Sequence, residues 1–98
     1  MAKGYWIAQV DVEDTERYGE YSALIDATLA PFGGRFLVRG GRREDVEGVT
    51  RQRAILIEFD SYEQALACYR SDAYQAIIPL RAGAAMADIV VVEGEGAR

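Results

Sequence analysis

The chain contains no histidine and no asparagine. Without histidine it cannot build a Ser-His-Asp triad, a histidine-ligated haem or the usual zinc site, and the commonest general base is missing. Its single cysteine, Cys68, rules out an intrachain disulfide. No apolar run approaches the roughly 20 residues that a membrane-spanning helix requires. Positive charge is in short supply: 11 lysines and arginines face 16 acids, for a formal net charge of −5. That balance argues against general nucleic-acid binding, which needs a basic footprint, and against docking on an anionic membrane. No metal-binding or cofactor-binding motif is present, so the expected cofactor and metal sets are both empty.

What is there suits an ordinary globular domain. The 98 residues, half of them apolar and 28% charged, suffice for one domain over 1–98 and not for two. The start, Met1-Ala2-Lys3-Gly4, runs directly into a strand-like segment without a secretory signal. A cytoplasmic location is therefore the expectation. The charge is uneven: Arg35, Arg39, Arg42, Arg43, Arg51 and Arg53 crowd the middle of the chain, with Glu44, Asp45 and Glu47 among them. Exposed charges are the rule, and a mixed-charge hairpin tip in water accounts for this run.

Tyr5 to Val12 is rich in aromatic and β-branched residues and reads as a strand, with Trp6, Ala8, Val10 and Val12 on one face. Asp14 offers a helix N-cap. Tyr18, Tyr21, Leu24, Ile25, Thr28 and Leu29 recur at helical spacing, which predicts a helix over about 15–31 ended near Pro31 and Gly33-Gly34. Arg35 to Arg39 and Arg53 to Phe59 are two further strands. Ser61-Tyr62-Glu63-Gln64 fits a capping box and opens a second helix. Ser71 reads as a second cap, so that helix breaks and restarts at Asp72. Pro79 suits a turn or a kink. Met86 to Glu93 is the last strand, and Gly94 to Arg98 a frayed tail.

The order β-α-β-β-α-β is that of the α+β ferredoxin-like fold, an antiparallel sheet with its helices on one face. Strict alternation assigns Trp6, Ala8, Val10, Phe36, Val38, Ile55, Ile57 and Phe59 to the helix-covered face. The other face then carries Tyr5, Ile7, Gln9, Leu37, Leu56 and either Ile89 and Val91 or Val90 and Val92. A solvated sheet face is usually polar. This one is not, and a large exposed apolar patch marks an interaction surface. The expected partner is a second copy, sheet against sheet about a two-fold axis. A monomer with an amphipathic open face is the alternative.

Five stretches together resemble a known family: Gly4-Tyr5-Trp6-Ile7-Ala8, Gly33 to Gly41, Ile57-Glu58-Phe59-Asp60-Ser61, Tyr69 to Gln75, and Ala87 to Gly94. The family is domain of unknown function 1330, within the dimeric α/β-barrel group. The resemblance spans nearly the whole chain, from Gly4 to Gly94, and departs from the pattern at Pro79. It implies a dimer of ferredoxin-like domains, with no agreed reaction and no catalytic set to carry over. The wider group includes haem-degrading and cofactor-free monooxygenases, muconolactone-isomerase-like enzymes and haem chlorite dismutases. Kinship at that level indicates only a scaffold able to hold a small-molecule cleft.

Candidate chemistry centres on Arg39 and Glu58, which alternation places on the open face, roughly opposite each other across a hairpin. Arg39 could hold a carboxylate or phosphate with its planar fork, and Glu58 could act as a base if burial raised its pKa. An ion pair that fixes interface register is the plainer reading. Trp6 and Tyr21 could line a cleft between helices and sheet that takes a flat apolar ligand, with Arg81 capping it. Packed core aromatics and a solvated helix end are the plainer readings. Gly40-Gly41-Arg42-Arg43 lacks the pattern of a phosphate loop. Cys68 reads as a small buried hydrophobe. Three functions stay open: a dimeric binder of a small organic molecule, a cofactor-independent monooxygenase- or isomerase-like enzyme using Arg39, Glu58 and tyrosine hydroxyls, and a purely structural or regulatory dimer.

Overall fold

The computed structural model describes residues 2–96. Ala97 and Arg98, the end of the expected tail, lie outside them. The chain runs β1 (Gly4–Val12), α1 (Thr15–Leu29), a 3-10 turn (Ala30–Phe32), β2 (Arg35–Arg39), β3 (Arg53–Phe59), α2 (Tyr62–Arg70), α3 (Asp72–Arg81) and β4 (Ala85–Glu93). The strands form one open antiparallel sheet in the order β2-β3-β1-β4. This is the ferredoxin-like arrangement.

Local chemistry sets the helix ends. The Asp14 carboxylate accepts from the Arg17 N–H at 3.1 Å and caps α1. α1 stops at Leu29, two residues short of the expected end. Pro31 lies in the 3-10 turn that follows, and Gly33 leaves that turn at φ 71°, a conformation costly for any residue with a Cβ. Ser61 Oγ accepts from Gln64 N–H and starts α2. Ser71 ends α2 and caps α3 through Tyr74 N–H, so the break falls where the serine predicts. Pro79 lies inside α3 rather than at a turn.

The helices cover the face carrying Trp6, Ala8, Val10, Ile55, Ile57 and Phe59. Trp6 is 2% exposed; its indole N–H donates to Ala65 O at 2.8 Å, and its ring meets Tyr74 edge-on at 4.9 Å. Each such large side chain contributes about 1.5–3 kcal/mol by leaving water. The β1–β4 register puts Trp6 opposite Val91 and Ile7 opposite Val90. Ile89 and Val91 therefore lie under the helices, and Val90 and Val92 on the open face.

Strand β2 departs from strict alternation. Phe36 pairs with Ile57, but Val38 pairs with Leu56 and Arg39 with Ile55, the register shifting between Phe36 and Val38. Leu37 is the extra residue of a β-bulge, two residues of β2 opposing one of β3. Two expectations are corrected as a result. Val38 lies on the open face, not beneath the helices. Arg39 lies on the helix side, not on the open face.

Candidate functional site

The open face is ordered in cross-strand rows. One row reads Arg35, Glu58, Tyr5 and Val92; the next reads Val38, Leu56, Ile7 and Val90. The second row is apolar, with Ile7 44%, Val38 40% and Val90 53% exposed. Ion clusters flank it on both sides along the strands. Arg35 lies 2.7 Å from Glu58 and also pairs with Asp60, while Tyr5 donates its hydroxyl proton to Glu58 at 3.0 Å. On the other side Arg51 pairs with Asp11 and Asp88, each at 2.8 Å. The Arg35 guanidinium, with the Tyr5 hydroxyl, holds the Glu58 carboxyl below the usual glutamate range. Glu58 is thus a carboxylate committed to two donors.

Arg39 and Glu58 do not meet. The bulge turns Arg39 to the other face, where it donates to both oxygens of Asp26, at 3.1 and 3.2 Å, and to Ser22 O. Its guanidinium lies 3.9 Å from the Phe36 ring centroid. The partner that β2 offers Glu58 is Arg35.

The helix side holds a cleft. α1 rests chiefly on α3 rather than on the strands, and small residues floor the gap beneath it. Ala8 and Ala87 lie there with Val10, Ile55, Ile57, Ile89 and Trp6, while Tyr18, Tyr21, Ser22 and Ile25 descend from α1. The cavity within it is about 40 Å³, room for a few waters, and the surrounding free space that opens to solvent is about 530 Å³. Three arginines complete the lining: Arg39, Arg53 and Arg81. The Tyr21 and Tyr74 hydroxyls share a hydrogen bond of 2.7 Å. Burial pushes the Tyr21 pKa up, so the phenol keeps its proton.

Trp6, Tyr21 and Arg39 therefore share one cleft, and Glu58 lies across the sheet from them. Arg53 was hidden within the arginine-rich run. The signal that finds it is its odd position, in phase with Ile55, Ile57 and Phe59 on the covered face. Among the described residues no group of three or more acids, cysteines or histidines is placed to hold a metal ion, and no helix is long and apolar enough to cross a membrane.

The family profile described as Domain of unknown function (DUF1330) matches residues 3–95. The chain belongs to this family. No curated protein matches it. Solved structures share the fold at low identity. A protein of unknown function from Rhodopseudomonas palustris is 14% identical with a TM-score of 0.75, the alignment covering 98% of this chain and 85% of that one. SnoaB, a cofactor-independent oxygenase from Streptomyces nogalater, is 8% identical with a TM-score of 0.65 over 99% and 97% of the two chains. A dimeric ferredoxin-like protein of unknown function from Thermobifida fusca is 16% identical with a TM-score of 0.59 over 94% and 89%.

Proposed function

We propose that this DUF1330 protein is a homodimer that binds a small organic molecule with an apolar body in the cleft under α1 of each copy. The observation that carries the reading is the hollow itself: Ala8 and Ala87 stand where larger side chains would fill the sheet, beneath aromatic residues of α1. A cleft with apolar walls and few polar groups is the usual form of a small-molecule site. Trp6 and Tyr21 supply wall area, and Arg39 stands at the mouth. At about 40 Å³ the cavity is smaller than such a ligand, so binding parts α1 from the strands.

The dimer forms through the open face. The row Val38, Leu56, Ile7 and Val90 is apolar and flanked by ion clusters, which suits a sheet-on-sheet contact with a dry centre and polar rim. The Thermobifida fusca protein, described as dimeric, supports a two-copy state. In it, Glu58 acts with Arg35 and Tyr5 to fix the interface.

Native mass spectrometry of the purified protein tests both parts. The expected result is a dimer carrying up to one small organic molecule per chain, or taking one up from a panel of small aromatic compounds. A dimer that binds no member of the panel leaves the cleft without a ligand and defeats the reading.

A further inference from the structure

The cleft offers donors and no ionised acceptor. In a chain of net charge −5, three of eleven basic residues line this one hollow, and no aspartate or glutamate lines it with them. Arg39 is partly neutralised by Asp26 outside the lining. Among the described residues neither Arg53 nor Arg81 pairs with a carboxylate; Arg53 lies 5.7 Å from the Tyr18 ring centroid and Arg81 5.5 Å from that of Tyr21.

Arg81 is the sharper case. It is the last residue of α3, where a basic side chain ordinarily turns back to the final carbonyls of its own helix. Here Arg17 of α1 occupies that end, donating to Pro79 O at 3.2 Å and to the carbonyl of the C-cap residue Ala82 at 3.1 Å. Arg81 instead folds beneath α1 into the cleft. Its Nε is buried with no hydrogen-bond partner, alone in this among the polar side-chain atoms of the described residues. A buried unsatisfied donor on a charged group is costly, and the groups this guanidinium meets inside the fold are the Tyr21 and Tyr74 hydroxyls, not an acid. Beside it, the Tyr21–Tyr74 pair uses only one of its two hydroxyl protons internally, which leaves the other to donate.

We propose that the ligand is a small monocarboxylate with an aryl or alkyl body, its carboxylate held by Arg81 and the spare tyrosine proton, and its body against Trp6, Ile57, Ala87 and Ile89. Arg53 and Arg39 draw the anion to the mouth. This deepens the binding reading above and rests on it. The planar guanidinium edge matches a carboxylate in two parallel bonds, which a neutral alcohol or amide cannot reproduce.

The test is calorimetric titration of the full chain with matched pairs, such as benzoate against benzyl alcohol and hexanoate against hexanol. Each acid is expected to bind at least about tenfold tighter than its alcohol, the order expected for a charge-assisted pair. Arg81→Met removes that preference while the alcohols still bind. Arg53→Gln, at an exposed position of β3, lowers acid affinity a few-fold and flattens its salt dependence. Acids and alcohols binding equally to the unaltered protein overturns the anion proposal and leaves the cleft intact. Acid preference that survives in Arg81→Met, with its circular dichroism unchanged, overturns the role of Arg81. Should Arg81→Met not fold, an acid affinity unmoved by Arg53→Gln and by salt overturns the electrostatic recognition. Failure of every acid and alcohol to bind removes the cleft reading itself.

Discussion

Arg35 stands directly opposite Glu58 across the β2–β3 ladder, its guanidinium 2.7 Å from the carboxylate. The neighbouring Tyr5 hydroxyl closes the group on the β1 side. Because the carboxyl pKa is depressed, the pair stabilises the fold above the unfolded glutamate value of about 4.3, and this contribution disappears as pH falls through the folded value. Asp11, held low first by the Gln52 N–H and then by Arg51, adds to the same acid limb. Glu58→Gln is expected to be less stable than the parent near neutral pH, with the difference shrinking once the pH falls below the unfolded glutamate value of about 4.3 and lost below the folded value. Urea unfolding at a series of pH values measures it; a constant difference down to pH 3 contradicts the assignment.

Ile7 is 44% exposed within one copy, so a single chain tolerates a polar group there. Ile7→Asp is expected to destabilise the isolated fold by about 1–2 kcal/mol, through lost apolar burial and strand preference. In the proposed dimer the same carboxylate would be buried at the centre of the contact, unpaired. Sedimentation velocity at micromolar concentration should find monomers for the variant and dimers for the parent. A variant that still sediments as a dimer moves the interface elsewhere.

Ala87 faces Val10 on the cleft floor. Ala87→Val fills part of the hollow with a residue that strands favour, so the stability change should stay within about 1 kcal/mol. Binding of any cleft ligand should fall at least about tenfold, since the lost volume lies where the body must sit. Thermal melting and titration calorimetry, run on the same sample, separate the two effects. Unchanged affinity places the ligand outside this cleft.

Cys68 is fully buried in α2, its Sγ 3.5 Å from Thr28 O, and burial pushes the thiol pKa up to about 11. At neutral pH it is a protonated, shielded thiol. A disulfide reagent should modify it slowly in buffer and at once in denaturant. Rapid native labelling would mean that α2 opens readily.

Much of the fold was legible in the chain because each signal was local. The apolar period of 3.6 marks α1, the serine caps place the α2–α3 break at Ser71, and odd–even alternation sorts Trp6, Ala8 and Val10 from Tyr5, Ile7 and Gln9. The same alternation carried past Leu37 misplaces Val38 and Arg39, because a bulge leaves no mark in a run of strand-forming residues. The candidate cleft was half visible: Trp6, Tyr21 and Arg81 stood out, while Arg53 was absorbed into a run of exposed arginines.

The amino-acid order by itself determined the order of strands and helices, the caps at Asp14, Ser61 and Ser71, and the surplus of apolar residues on the uncovered sheet face, since these depend on neighbours within a few positions. Only the tertiary structure decided which arginine meets Glu58, that Arg17 and not Arg81 bonds the carbonyls at the end of α3, and that two alanines from β1 and β4 leave a hollow under α1. Those outcomes depend on register and on contacts between segments up to 79 positions apart, from Ala8 to Ala87, which no local pattern encodes.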